Sequence, residues 1–172
     1  MNSRYDVEIS SLRACGIVGF RAGEEGRRRI ASLLGVSLPK IPYCADFDGG
    51  RLLPLANDEW LAFCDDEEQL FRNMEGALEG TYGVVAVVSD TYQGFSVRGP
   101  HATDVMAQTV AIDLTLEPDI QPYTWGKTGV GRASGVVVRN GQLDDFSIYV
   151  DNTHARYAQT LLSALAGTEV SR

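Results

Sequence analysis

The chain has 172 residues, 44% hydrophobic and 22% charged, with a formal net charge of −8, which is the composition of a globular protein with one substantial core or two small subdomains sharing one. That acidic balance excludes a nucleic-acid binder, which needs clustered Lys and Arg to displace counterions. No apolar run approaches the roughly 20 residues that span a bilayer. The three cysteines, Cys15, Cys44 and Cys64, make neither a disulfide framework nor a CxxC zinc site.

In chain order, MNSRYDVEIS (1–10) carries Asp6 and Glu8 and no hydrophobic signal region, so residues 1–14 are expected to be an extension and the protein to be cytoplasmic. CGIVGFR (15–21) fits a short strand. The helix expected over 24–34 places Ile30, Leu33 and Leu34 on one face, with Gly35 at its end and Pro39 blocking continuation. Arg27, Arg28 and Arg29, the only basic run, sit beside Glu24 and Glu25 and read as a solvated face. Residues 40–50 are turn-rich. LLPLANDEWLAFC (52–64) reads as two strands joined at Asn57-Asp58. Asp65 has the look of an N-cap, with Glu68 as capping-box partner, for a helix carrying Leu70, Phe71, Met74 and Leu78 and ending near Gly80. GVVAVVSD (83–90) is almost continuously apolar and is expected to be a strand buried on both faces.

FSVRGPHATDVMAQ (95–108) reads as strand, break and helix. A lone glycine without GxGxxG or GxxxxGK[ST] falls short of the converging N–H groups of a phosphate loop, and Pro100 removes one more donor. Gly99 is therefore read as the freedom for a sharp turn and Pro100 as the opening of a helix. Pro118 and Pro122 make the following stretch an extended connection. Residues 130–150 suggest a hairpin, with a strand to about Val138, a turn at Asn140-Gly141 and a strand over Phe146–Val150. Asp151 then caps a helix expected to bury Tyr157, Leu161, Leu162 and Leu165 and to end at Gly167.

The two halves share one pattern. WLAFCDDEEQLFRNMEGALEG aligns without a gap to FSIYVDNTHARYAQTLLSALAG, matching Trp60 to Phe146, Phe63 to Tyr149, Asp65 to Asp151 and Phe71 to Tyr157. Each half reads strand–helix–strand–strand–helix, the order of a split βαβ unit, with residues 83–89 as a further strand of the first. An α+β fold of two pseudo-repeated, ferredoxin-like halves packed together is expected, halves at about 15–90 and 91–167 and a tail at 168–172.

Chemistry is sparse. His101 and His154, the only histidines, stand at expected helix starts, and nothing in their spacing pairs them with a nucleophile. There is no GxSxG and no HExxH. Asp65-Asp66-Glu67-Glu68 is explained by negative charge at a helix N-terminus. Asp144-Asp145 reads as solvated, and Asp46-x-Asp48-Gly49 lacks the later ligands of a calcium loop. Asp90 and Asp113 suit turn caps. Trp60, Tyr92 and Trp125 suit core or interface burial. No catalytic, cofactor-binding or metal-binding residue is assigned.

The ordered set RIASLLGVSLP (29–39), LLPLANDEWLAFC (52–64), Ser89-Asp90, FSVRGPHATDVMAQTVAIDL (95–114) and FSIYVDNTHARYAQTLLSAL (146–165) resembles the gamma subunit of heterotetrameric sarcosine oxidase, a relative of the folate-binding aminomethyltransferase-like fold. The resemblance rests on order and spacing over about 15–167: Leu34-Gly35-Val36-Ser37-Leu38-Pro39, then Asn57-Asp58-Glu59-Trp60-Leu61, Gly99-Pro100-His101-Ala102 and Asp113-Leu114. It implies a non-catalytic accessory subunit of a flavin-dependent complex that oxidatively demethylates an N-methyl amino acid. Its partners would be larger flavin-bearing alpha and beta subunits and a small delta subunit. FAD, FMN, NAD, tetrahydrofolate and zinc would reside in those partners and none in this chain. Two alternatives stay open: a free-standing tetrahydrofolate or one-carbon binding module anchored through Asp90 or Asp113, and a small hydrolase or transferase using His101 or His154.

Overall fold

The structure, a computed structural model, describes residues 5–12, 15–114, 123–141 and 144–167. The chain divides into two compact units, one formed by Ala14–Ser89 and the other by Met1–Arg13 with Asp90–Arg172.

In the Ala14–Ser89 unit, β2 (Gly16–Ala22) leads into α1 (Glu24–Leu34), then β3 (Ala45–Phe47), β4 (Gly50–Ala56), β5 (Glu59–Cys64), α2 (Glu67–Leu78) and β6 (Gly83–Val87). The sheet order is β3-β4-β5-β2-β6, every neighbouring pair antiparallel. β2–α1–β4 and β5–α2–β6 are thus two interleaved crossovers, the split βαβ arrangement expected. The helices bury one sheet face: Val18 and Phe20 of β2, Leu52 of β4 and Trp60 and Ala62 of β5 pack with Ile30, Leu70, Met74 and Leu78. Period-2 alternation in the strands and i, i+4 spacing in α2 supply that apolar contact. Each Val, Leu, Ile, Phe and Met among them contributes about 1.5–3 kcal/mol by leaving water.

In the second unit, β1 (Glu8–Ser11) joins β7 (Tyr92–Arg98), α3 (Ala102–Thr109), β8 (Tyr123–Val130), β9 (Ala133–Arg139), β10 (Asp145–Asp151) and α4 (Ala155–Ala166). The order is β1-β7-β10-β9-β8, again all antiparallel. Phe95, Val97, Phe146, Ile148 and Val150 face Val105, Met106, Ala158 and Leu162. Position for position this repeats the first sheet: β7 stands for β2, β10 for β5, and β1 for β6. The outermost strand beside β7 comes from residues 8–11, within the stretch expected to be an extension, whereas β6 follows α2 in its own unit.

Several expectations are corrected. The 83–90 stretch is not buried on both faces. β6 is an edge strand with Val84 60% exposed and Val87 45% exposed, because the return from α2 lays it outside β2, with β2 as its single strand neighbour among the described residues. A continuous apolar run reports side-chain chemistry, not how many neighbours a strand has. The cap of α2 is Asp66, one residue later than expected; its carboxylate accepts the Gln69 N–H at 2.9 Å. Leu33 points outward, because α1 buries only the line through Gly26 and Ile30. Tyr157 is 37% exposed, and its hydroxyl accepts the Arg132 N–H at 2.9 Å, a polar task that keeps the ring tip at the surface. α3 starts at Ala102 with Pro100 in the preceding turn. The extended connection holds Pro118 and Pro122 outside the described residues, but its end, from Tyr123, is strand β8.

Candidate interaction surface

The turn at 99–102 settles the nature of the bend. Gly99 has φ 123°, a left-handed conformation open to glycine. A Cβ there would lie 2.8 Å from the Asp6 carbonyl oxygen and 3.1 Å from the Val7 Cα. His101 completes the contact: its N–H donates to the Asp6 carbonyl at 3.3 Å and its Nδ1 accepts the Asp6 N–H at 3.0 Å. The histidine thus holds the lead into β1, and Tyr5 lies 5.9 Å from its ring.

The other candidate groups each have partners of their own. His154 is exposed in a 3₁₀ turn, its Nδ1 3.3 Å from the Thr153 hydroxyl. Asp151 caps that turn, its carboxylate accepting from Thr153 N–H and Oγ1. Trp60 is core: its Nε1 donates to the Pro39 carbonyl at 2.8 Å and its ring stacks on Phe20 at 5.3 Å. Asp145, expected to be solvated, accepts from Arg98 Nε at 3.0 Å and from Asn140, while Asp144 accepts from Thr103 Oγ1 at 2.8 Å. Asp46 pairs with Arg51, and Glu25 with Arg28 and Arg29. Glu67, in the acidic run, bonds the Ser89 hydroxyl, which also accepts the Ile17 N–H at 2.8 Å. Burial pushes the Cys44 thiol up to about 12 and the Cys64 thiol up to about 11, so neither is a thiolate at neutral pH. Sequence reasoning missed Arg139. It is 1% exposed, donates from Nη2 to the Leu114 carbonyl at 2.7 Å and lies 5.0 Å from the Phe146 ring centroid. A charged residue closing an apolar strand was the available signal. Among the described residues, no three His, Cys, Asp or Glu side chains are grouped to hold a metal, and no helix is long and apolar enough to cross a membrane.

What the structure does present is an apolar edge. α2 runs outward from its Asp66 cap with Leu70, Met74 and Leu78 buried beneath it. Thr81 stops it: its N–H and its hydroxyl both donate to the Leu78 carbonyl, at 2.9 and 2.7 Å. Gly80, at φ 70°, turns the chain back into β6. The overhang leaves an open cavity of about 620 Å³ between Arg72, Glu75 and Glu79 of the helix and Gly83, Val84 and Val85 of the strand. Tyr82, 89% exposed, stands at the head of the strand beside exposed Val84 and Val87. Arg72 Nη1 lies 3.5 Å from Glu68, while Glu75 and Glu79 have no ion-pair partner among the described residues.

No protein-family model and no curated protein sequence matches the chain. Solved structures do. A chain of the heterotetrameric sarcosine oxidase from Corynebacterium sp. U-96, in complex with pyrrole 2-carboxylate, superposes with a TM-score of 0.80 and 22% identity, over 96% of this chain and 88% of that one. The glycine cleavage system aminomethyltransferase T from Bartonella henselae matches with a TM-score of 0.72 and 16% identity, over 97% of this chain but 48% of that one. This chain therefore spans about half the length of that aminomethyltransferase. At these identities the likeness shows the fold, and it is the aminomethyltransferase-like α+β fold expected from the sequence.

Proposed function

We propose that the chain is a non-catalytic accessory subunit of a heteromeric, flavin-dependent oxidase that demethylates an N-methyl amino acid. One observation carries this reading: the fold matches a chain of a heterotetrameric sarcosine oxidase over nearly the full length of both. A chain spanning half the length of an aminomethyltransferase, with its two histidines held by different neighbours and its buried thiols protonated, suits a subunit that docks rather than one that turns over substrate. On this reading flavin, NAD, tetrahydrofolate and zinc belong to the larger alpha and beta subunits and the small delta subunit.

Co-expression with flavin-bearing candidate chains tests it. Co-elution in size exclusion, with flavin absorbance in the shared peak and oxidase activity on N-methyl amino acids, is the expected result. A chain that stays monomeric on mixing with those partners, or that oxidises substrate alone, refutes the proposal.

A second reading, a tetrahydrofolate or one-carbon binding module, is favoured by the likeness to the aminomethyltransferase. Calorimetric titration with tetrahydrofolate decides it, since saturable heat requires a binding site in this chain and its absence at millimolar ligand removes the idea.

A further inference from the structure

Edge strands offer unpaired N–H and C=O groups, and proteins protect them with charge, proline, bulges or brevity. Among the described residues four strands lie at sheet edges. β1 carries Glu8 in four residues, and β3 is three residues long with Asp46. β8 carries Lys127 and a register shift between Thr124 and Lys127. β6, Gly83-Val84-Val85-Ala86-Val87, has no charge, no proline and no register shift.

The register defines what that edge presents. The Tyr82 carbonyl accepts from Gly23 N–H at 2.8 Å, and the Val88 N–H donates to the Ile17 carbonyl at 2.8 Å. Antiparallel pairing alternates, so the backbone groups of Val84 and Ala86 also point toward β2. Those of Gly83, Val85 and Val87 point outward. Gly83 and Val85 lie on the helix side, Val85 against the core of α2 and Gly83 with its Cβ direction 3.0 Å from Leu78. The cavity beneath α2 sits beside them, where the helix-side residues of one more strand would lie.

We propose that the outer edge of β6 is a strand-addition site for an extended segment of a different protein, one that carries a lysine or arginine on its helix-side face. The incoming backbone pairs with Gly83, Val85 and Val87, and its basic side chain enters the cavity toward Glu75 and Glu79. Arg29 reaches only the Glu79 backbone carbonyl, its Nε being held by Glu25. Charge selects a foreign chain over a second copy. Two β6 strands paired about a twofold axis would put both α2 helices on one face, each presenting Glu75 and Glu79 against a single lining cation, Arg72, which already faces Glu68 at 3.5 Å, on chains of net charge −8. The inference rests on the accessory-subunit reading for its biological partner, but its test does not.

The probe is a capped eight-residue peptide alternating valine and threonine with one central lysine, titrated into the full chain and followed by amide hydrogen exchange resolved by NMR. The expected result is saturable protection of the Gly83, Val85 and Val87 amides, with Val84 and Ala86 already slow in the free chain. Replacing the peptide's lysine with glutamate should weaken binding severalfold. Val85→Pro removes an outward N–H while leaving the β2 ladder intact, so it should fold and lose roughly tenfold in peptide affinity. Absent protection at millimolar peptide, or Val85→Pro binding as well as the parent, overturns the proposal. So does concentration-dependent self-association protecting the same amides without peptide. Flavin-bearing partners that co-elute while the peptide gives no protection refute the edge and leave the accessory reading standing. Peptide binding without any flavoprotein association supports the edge and refutes that reading.

Discussion

Replacing Gly99 with alanine tests whether the 99–102 turn is a structural bend. Two costs add. The φ of 123° is a region an L-residue occupies at about 1–3 kcal/mol. The new Cβ would also stand 2.8 Å from the Asp6 carbonyl oxygen and 3.1 Å from the Val7 Cα. Both are backbone atoms, so no side chain can swing away, and relief requires moving the lead into β1. Together the destabilisation should be about 2–4 kcal/mol, or a fall in Tm of roughly 4–16 °C for a domain of this size. Differential scanning calorimetry reads the total, and amide exchange locates it: the Asp6 and His101 amides, bonded to each other's residues, should lose protection first. The control is Gly76→Ala. Gly76 lies within α2, has no positive φ, and its Cβ would meet nothing within 4 Å, so alanine should stabilise by about 0.4–1 kcal/mol. A Gly99→Ala protein melting within about 2 °C of the parent, with Asp6 and His101 still protected, would show that neither the torsion nor the close approach constrains this turn.

Other substitutions check other links. Asp66→Ala should cost about 1 kcal/mol in urea unfolding and Asp65→Ala should stay within about 0.5 kcal/mol, since only Asp66 bonds the Gln69 N–H; equal losses would move the cap back to Asp65. The hydroxyl and the N–H of Thr153 hold the Asp151 carboxyl below its ordinary value of 3.8. A lowered folded-state value gives stability that is complete above 3.8 and lost as pH falls through the lower value. Asp151→Asn should therefore be less stable than the parent at neutral pH and show a flatter acid limb. A deficit that is the same at neutral and strongly acidic pH contradicts this. Maleimide labelling followed by mass spectrometry should modify exposed Cys15 ahead of Cys64, which is 7% exposed and needs local opening; matched rates would be the contrary result.

What the sequence by itself determined is local grammar. Apolar spacing placed the four helices among the described residues, Asn57-Asp58 and Asn140-Gly141 placed two turns, and Gly35 and Gly167 marked helix ends that the structure shows in the left-handed conformation, at φ 67° and 72°. These depend on torsions and contacts within a few residues, which neighbouring side chains encode directly. Duplication was legible for the same reason, because both halves repeat one local pattern. The candidate surface was not. GVVAV is equally apolar in the middle of a sheet and at its edge, and only the crossover from α2 decides that β6 lies outside β2 with half its backbone groups facing outward. The same holds for residues 8–11, whose strand partner lies beyond residue 90 in the sequence. Whether an apolar strand ends as core or as surface is set by chain closure over long separations, and no spacing within the strand records it.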